Sequence, residues 1–336
     1  MNTRNYLIKL KFKTSIHIGS DSATPDISVS SNTVHADTFY SALLIEALKR
    51  GGEDYLKVIN GIFKAGAKIS DLMPYCGGVY FVPKPILSIE QPSETANVSR
   101  NTAFDKKALK NLTHIDIGAF GEYIKLISGM ASSYDPSKDA ELLRNLGRKS
   151  TRLQLKIEGI ENGRQYRLEN SMPYYVGTYT FNKESGLYLL LRAGEEHLAE
   201  LINLISSLGY SGIGGRVSSG LGKFELDEVL PADEIKPFAE RFNLDNFSWY
   251  MSLSVCLPKD EELEDVHKSA NYLLLKRSGF VQSATYSDTL LKKKDIYAFS
   301  QGSVFNKLFE GDIFDVSCSG SHEVYRYLKP FFIGVL

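Results

Sequence analysis

Residues 209–224 combine six glycines with two basic side chains, a composition that suits phosphate binding. The stretch reads GYSGIGGRVSSGLGKF and joins a predicted amphipathic helix to a predicted strand. Glycine permits positive φ and has no Cβ to keep a ligand from the main chain, so successive amides can point at one anion. Arginine, lysine and serine add charged and neutral donors. The predicted phosphate-binding residues are Gly212, Gly214, Gly215, Arg216, Ser218, Ser219, Gly220 and Lys223.

Two well-known phosphate motifs do not fit this stretch. A dinucleotide-binding fingerprint requires a third glycine three residues after Gly214, where the chain has Val217. A P-loop that includes Lys223 requires glycine in place of Val217 and serine or threonine in place of Phe224. The two basic residues favour a polymer phosphate over a mononucleotide. A flexible connection that binds nothing remains the alternative.

Two histidines are candidates for acid–base chemistry. His17 follows the first predicted strand and His35 precedes the first predicted helix. A histidine can activate a ribose 2′-hydroxyl without a metal, but each of these two is more simply a structural hydrogen-bonding residue. The sequence has no Ser-His-Asp order, no paired catalytic carboxylates and no metal-ligand spacing that stands out. We therefore expect no cofactor and no metal.

Four lysines outside the glycine-rich stretch are candidate polyanion contacts. Lys84 lies between two prolines, where a stiff extended backbone suits either a phosphate contact or an exposed edge-strand position. Lys106, Lys107 and Lys110 lie on a predicted basic helix and either bind a polyanion or keep that segment soluble.

Charge is unevenly distributed along the 336 residues, although the formal net charge is only −1. Basic residues outnumber acidic ones in 100–167, whereas 225–265 is acidic. One part could bind a polyanion while the other faces water or a basic protein partner. The length favours two domains. No apolar run reaches the roughly 18 residues of a spanning helix and no signal peptide is recognisable, so we expect a cytoplasmic protein without membrane contact.

Alternating and helical periodicities predict the elements that position these residues. Before the acidic part, strands are predicted at 6–14, 79–82, 178–181, 187–192 and 223–226, and helices at 37–48, with Asp37 as the N-cap, at 95–110, and at 195–208, ending at Gly209. With the segment at about 90–175 set aside, and with the 178–181 and 187–192 hairpin counted as one unit, this order is βαββαβ, the ferredoxin-like order. After a linker at 231–244 that contains a short helical piece, strands are predicted at 249–256, 279–284, 295–299 and 331–335, with an acidic helix at 259–267 that could extend towards 275.

Several segments resemble a known family. They are 35–43 (HADTFYSAL), 83–85 (PKP), the glycine-rich stretch, 302–305 (GSVF) and 322–327 (HEVYRY). Together, and in this order, they resemble the fourth-subunit family of Csm complexes, which are repeat-associated mysterious proteins (RAMPs) of type III-A CRISPR interference complexes. The resemblance covers nearly the whole chain but is poor in about 90–168.

The resemblance implies an α+β fold of two ferredoxin-like (RRM-like, RAMP) domains. The first would span 1–230 with a long thumb-like insertion at about 90–175, and the second 245–336. The implied function is a non-catalytic RNA-binding scaffold. It would bind the repeat-derived 5′ handle of crRNA and bridge the large Palm-domain subunit to the backbone RAMP subunit. Two alternatives remain open: a metal-independent endoribonuclease that processes crRNA with His17 as general acid or base, and a protein–protein adaptor with a merely flexible loop.

Overall fold

The computed structural model describes residues 3–19, 26–87, 102–156, 172–283, 286, 289 and 291–336. The helices are α1 (Ala36–Lys64), α2 (Thr102–Asn111), α3 (Phe120–Ile127), α4 (Pro136–Arg144), α5 (Glu195–Ser211), α6 (Lys236–Phe242) and α7 (Asp260–His267). The first nine strands are β1 (Thr3–Phe12), β2 (Lys68–Ile69), β3 (Met73–Cys76), β4 (Val79–Pro83), β5 (His114–Asp116), β6 (Gly147–Lys156), β7 (Met172–Phe181), β8 (Ser185–Gly194) and β9 (Phe224–Pro231). The remaining strands are β10 (Tyr250–Ser252), β11 (Ala270–Asn271), β12 (Leu274–Arg277), β13 (Ile296–Phe299), β14 (Val304–Phe305), β15 (Ile313–Asp315), β16 (Tyr325–Tyr327) and β17 (Phe332–Gly334).

A seven-stranded antiparallel sheet forms the centre of the molecule. Its strand order is β5-β4-β3-β8-β1-β9, and β2 also pairs with β8. Successive side chains of a strand point to opposite faces. Accordingly, Leu189 on β8 packs with α1 and α5, whereas Leu190 packs with α3, α6 and β10. Both faces of the sheet are therefore covered, which explains why apolar residues run continuously along β8.

Helix α1 is longer than its sequence pattern predicts. It begins after His35 and has non-helical backbone at Gly51 and Gly52, then continues to Lys64. The two glycines interrupt the apolar periodicity, which is why the prediction ends at 48. The N-cap prediction for Asp37 is wrong, since His35 occupies the N-cap position and Asp37 is buried inside the first turn.

Helix α5 ends at Ser211 rather than at the predicted Gly209. A Cβ on Gly209 would lie 2.3 Å from the carbonyl oxygen of Phe224. The glycine therefore allows α5 to approach the start of β9 closely and does not terminate the helix.

Part of the predicted insertion belongs to the core. Its strand β5 is the edge strand of the main sheet, and Ile115 on β5 and Phe120 on α3 are fully buried in the same core. In contrast, β6 and β7 pair along their whole length as an antiparallel hairpin of their own. The segment between them, 157–171, lies outside the described residues, as do the first residues of the predicted 95–110 helix.

The C-terminal part matches the sequence prediction in one respect and departs from it in two places. The short helix predicted within the linker is α6, whose Phe238 is fully buried against the main sheet. The acidic helix α7 ends at His267, and β11 and β12 occupy the residues of its predicted extension. In the predicted 279–284 strand the described residues form only an isolated bridge, between Phe280 and Lys292, and residue 284 lies outside the described part.

A buried ion-pair cluster joins α1 to the C-terminal strands. The carboxylate of Asp37 accepts hydrogen bonds from Arg277 at 2.8 and 3.0 Å and from Arg326 at 2.6 Å. Burial alone would raise the pKa of Asp37, but the two guanidinium groups hold it below its ordinary value. Two residues earlier, the Nδ1 atom of His35 lies 2.6 Å from the carboxylate of Asp71.

Candidate nucleic-acid interface

The glycine-rich loop between α5 and β9 is closed at its base by main-chain hydrogen bonds. The amide of Ile213 donates to the carbonyl of Gly222 at 3.0 Å, and the amide of Gly222 donates to Ser15 at 2.8 Å. A Cβ on Gly222 would lie 2.0 Å from the oxygen of Ile213. Ile213 is itself fully buried. The loop is therefore anchored in the core at both ends.

Most described amides of this loop bond within the protein, which differs from the continuous amide cradle expected from the glycines. Gly215 donates to the carbonyl of His17 at 2.8 Å, and Lys223 donates to the Thr14 hydroxyl at 2.9 Å. Within the described part of the chain, the amides of residues 216–218 at the loop tip have no hydrogen-bond acceptor. The tip amides, and that of Gly214, which also has no acceptor among the described residues, can thus receive an anion.

Arg216 has an unusual backbone conformation that sets the direction of its side chain. It is the one non-glycine residue of the described chain with positive φ, at φ 64° and ψ 26°. Its guanidinium carbon lies 5.2 Å from the centre of the Tyr174 ring, within cation–π range. The Tyr174 hydroxyl donates to Gln154 at 2.9 Å. The β6–β7 hairpin therefore holds Arg216 in place.

The other basic and hydroxyl side chains of the loop are solvent-accessible. Lys223, Ser218 and Ser219 are exposed, and Arg216 is half-buried. Neither basic residue has a carboxylate partner among the described residues. The loop therefore presents two uncompensated positive charges beside free hydroxyl groups.

His17 lies directly beneath this loop and is largely buried. Its Nδ1 donates to the carbonyl of Gly177 at 2.7 Å, since a carbonyl can only accept. In the neutral ring the proton is thus on Nδ1 and the lone pair on Nε2. A Cβ on Gly215 would lie 2.7 Å from the ring, so this glycine makes room for the histidine. The contacts give His17 a supporting role for the loop.

One face of the β6–β7 hairpin extends the positive surface of the loop, and the sequence reasoning did not connect the two. Arg152 is exposed, and its guanidinium donates to the Ser15 hydroxyl at 3.4 Å. Ser15 in turn shares a 2.8 Å hydrogen bond with Thr180. The strand register places Arg148, Ser150, Arg152 and Gln154 opposite Thr180, Thr178, Val176 and Tyr174 on the same face. Arg148 and Arg152, which lie on one face of a strand, were the sequence signal for this basic face.

Lys84 lies at the opposite end of the main sheet from the loop. β1 ends where β9 begins, because Phe12 pairs with Phe224. β3 also ends at this side, so the antiparallel β4 runs away from the loop and Lys84 follows its far end. The Lys84 ammonium donates to the carbonyl of Leu109 at 2.6 Å, and burial lowers its pKa. Lys84 is therefore half-buried and internally bonded, not an exposed edge residue.

The remaining predicted contacts divide between two further places. Lys107 and Lys110 are exposed on α2, next to the carbonyl that binds Lys84, and the side chain of Lys106 lies outside the described part. His35 is buried beside Asp71. The structure thus unites the loop residues with His17 and leaves the α2 lysines, Lys84 and His35 elsewhere. Among the described residues no cluster of three potential ligands could hold a metal, and no helix is both long and apolar enough to cross a membrane.

Comparison with known families accounts for almost the whole chain. A sequence model of the RAMP superfamily matches residues 9–225, and a model of the CRISPR Csm4 C-terminal domain matches residues 245–335. "CRISPR system Cms protein Csm4" of Mycobacterium tuberculosis is 34% identical over 316 residues, covering 92% of this chain and 93% of that protein. The chain belongs to the Csm4 family. The Csm4 protein of Streptococcus thermophilus is 32% identical, with 94% of both chains covered.

Solved structures agree with this family at the level of the fold. A chain of the Csm3–Csm4 subcomplex in the type III-A CRISPR-Cas interference complex matches with a TM-score of 0.62, 19% identity and 98% coverage of both chains. A chain of a Csm1–Csm4 cassette in complex with cA4 matches with a TM-score of 0.56 and 19% identity, covering 100% of this chain and 98% of that one. The Csm4-family chain is therefore an α+β protein with a RAMP domain, as the sequence predicts.

Proposed function

We propose that this Csm4-family chain is a non-catalytic scaffold that binds the repeat-derived 5′ handle of crRNA in a type III-A complex. The observation that carries the proposal is the anchored glycine-rich loop with its uncompensated Arg216 and Lys223. Fixed positive charge near free amides and hydroxyls suits an RNA backbone, whose recognition depends largely on phosphate and 2′-hydroxyl contacts. Loop rigidity argues against the adaptor alternative, in which the loop is merely flexible.

The same proposal includes two ferredoxin-like domains and a thumb that contacts the guide. Support for the first domain comes from the order β3-β8-β1-β9 in the main sheet, with α1 and α5 as the connecting helices. Support for the thumb comes from the separate β6–β7 hairpin and its basic face. Bridging the large Palm-domain subunit to the backbone RAMP subunit is supported by the solved subcomplexes that pair related folds with Csm1 and Csm3.

Reconstitution with the other subunits and crRNA tests the RNA-binding role. We expect the double variant Arg216→Ala/Lys223→Ala to retain much less crRNA after purification than the wild type, with a shallower dependence of the retained amount on salt because two phosphate contacts are removed. The matched control is Lys57→Ala/Lys236→Ala, which removes two exposed charges elsewhere. Equal retention of crRNA by both double variants would contradict handle binding by the loop.

A cleavage assay tests the non-catalytic part of the proposal. Purified chain is incubated with repeat RNA in the presence of EDTA, with wild-type and His17→Ala proteins in parallel. We expect no cleavage by either protein, because His17 is largely buried and its Nδ1 proton is bonded to Gly177. Cleavage by the wild type that disappears in the variant would establish the endoribonuclease alternative instead.

A further inference from the structure

An open groove of about 500 Å³ lies between α7 and β12, far in sequence from the glycine-rich loop. One wall is a single face of α7, formed by residues spaced three and four apart: Asp260, Leu263, Glu264 and His267. Leu274 on β12 forms the opposite wall, and Phe299 on β13 contributes to the lining. Val266, on a different face of α7, is buried in the core, whereas Leu263 on the groove face is 41% exposed.

The groove and its rim expose large apolar side chains. Leu263 is 41% exposed and Leu274 is 58% exposed on the two walls. Leu273, the sequence neighbour of Leu274, is 62% exposed, and Tyr297, two residues before the groove residue Phe299 on β13, is 57% exposed. Contiguous exposed apolar residues with a polar rim are typical of protein interaction sites. Within the described residues, this surface is therefore a candidate for a partner that buries it.

Negative charge is concentrated on the same helix. Asp260 and Glu261 have no ion-pair partner among the described residues, whereas Glu264 pairs with Lys268 at 2.9 Å. The other half of the acidic 225–265 segment behaves differently. Its β9 carboxylates, Glu225, Asp227 and Glu228, pair with Lys9 of β1 and with Lys13, the residue that follows β1. Asp260 and Glu261 thus place uncompensated negative charge beside the groove.

We propose that this groove binds an amphipathic segment of another protein that carries apolar side chains flanked by lysine or arginine. An apolar side chain enters between Leu263 and Leu274, and the basic groups lie over Asp260 and Glu261. Charge complementarity decides the occupant: the carboxylates attract a basic polypeptide and repel both RNA and an anionic membrane surface. The inference rests on the proposed scaffold role in one respect, namely that the partner is one of the subunits assembled with this chain.

Zero-length cross-linking of the wild-type chain in the assembled complex is the direct test. A carbodiimide joins a carboxylate to an amine only at contact distance, and mass spectrometry identifies the peptides. We expect the α7 peptide to be linked to a lysine of a different subunit. Links between two copies of this chain, links to RNA, or a complete absence of α7 links while other carboxylates react would each overturn the proposal.

Two variants measure the contribution of the groove to assembly. Leu263→Asp/Leu274→Asp places charge at the apolar contact, and we expect at least a roughly tenfold weaker association with the cross-linked subunit, as for interface anchor residues. Val58→Asp, at a residue 55% exposed on α1, is the matched control. Both proteins should keep the wild-type thermal midpoint and crRNA retention. Unchanged association of the groove variant would overturn the proposal, whereas failure of the RNA-binding proposal would appear in the loop variant alone.

Discussion

Two pairs of basic residues in this molecule differ in what their charges contact. Arg277 and Arg326 are both bonded to the buried carboxylate of Asp37. Arg216 and Lys223 in the glycine-rich loop have no carboxylate partner in the described structure. Arg216 is half-buried and Lys223 is exposed. The first pair neutralises a buried charge and ties α1 to the C-terminal strands. The second pair keeps its charge available for a ligand.

The difference shows that the number of basic residues in a segment does not identify a polyanion site. Lys84 was a candidate by sequence, but its ammonium is bonded to Leu109. Arg216 was also a candidate, and its side chain lies on an aromatic ring that leaves its charge uncompensated. The five predictions below examine the contrast between internally bonded and available charges, beginning with the largest expected effect.

Replacing Asp37 by asparagine should destabilise the protein by about 3–5 kcal/mol, because it leaves two buried guanidinium groups without a counter-charge. The measurement is urea unfolding of the wild type and the variant. Asp265→Asn, which breaks an exposed pair with Lys307, is the control and should leave the unfolding curve unchanged. If Asp37→Asn unfolds at the same urea concentration as the wild type, the buried ion pairs contribute nothing to stability.

The same carboxylate should make stability depend on acid pH. The pKa of Asp37 in the folded state is lower than in the unfolded state. Its contribution is therefore complete above the unfolded pKa of about 3.9 and is lost as pH falls towards the folded value. The free energy of unfolding of the wild type should thus fall more than that of Asp37→Asn between pH 5 and about pH 3. An equal fall in the two proteins would contradict a stabilising role of the Asp37 ion pairs.

Replacing Gly222 by alanine tests whether the loop that carries the available charges is rigidly built. Its φ is +77°, a conformation that costs an L-residue about 1–2 kcal/mol, and the new Cβ would clash with Ile213. We expect a loss of stability of at least about 1–2 kcal/mol by urea unfolding. Gly61→Ala is the control, since that helical glycine has open space around it and alanine favours helix. Equal changes in the free energy of unfolding for Gly222→Ala and Gly61→Ala would mean that the base of the loop accommodates the added Cβ.

Removing one available charge should change the salt dependence of RNA binding. Each phosphate contact of a basic residue adds roughly one to the slope of log affinity against log salt. We expect Arg216→Ala to reduce that slope by about one in titrations of the reconstituted complex with crRNA, and Lys84→Met to leave it unchanged. A lower slope for Lys84→Met would place RNA at the far end of the sheet as well.

The smallest effect is expected from the ring beneath Arg216. A cation–π contact contributes about 0.5–1 kcal/mol when partly exposed. Tyr174→Leu should therefore weaken crRNA binding by roughly two- to fivefold, while Tyr174→Phe should retain wild-type affinity because it keeps the ring. An equal loss in both variants would assign the effect to the hydroxyl that binds Gln154.

Local patterns predicted the parts of the fold whose cause is local. Alternation identified β1 and most of β8, helical spacing identified α5 and the start of α1, and the glycine content located the loop between α5 and β9. Two-residue strands such as β2 lack enough residues to show a period. Gly209 is a helix-ending signal by composition, yet it is needed for a contact with Phe224 that only the tertiary structure defines.

Contacts between distant residues explain what the sequence could not predict. Asp37 meets Arg277 across 240 positions, so its sequence neighbourhood indicates a helix cap and nothing more. Tyr174 and Arg216 belong to different elements, and only the register of the hairpin brings them together. The loop residues could be selected by type, but the division of candidate lysines between two ends of the sheet follows from strand direction.

The hydrogen bonds that close the loop base also bear on the entropy of binding. Fixing a mobile residue costs roughly 1–2 kcal/mol of backbone conformational entropy, and a long flexible loop would lose that amount many times over on meeting RNA. Here the Ile213–Gly222 and Gly222–Ser15 bonds have already fixed the path of the chain. A strand of RNA would therefore meet a surface whose shape exists before it arrives. Little of the free energy of its phosphate contacts would be lost to ordering of the protein.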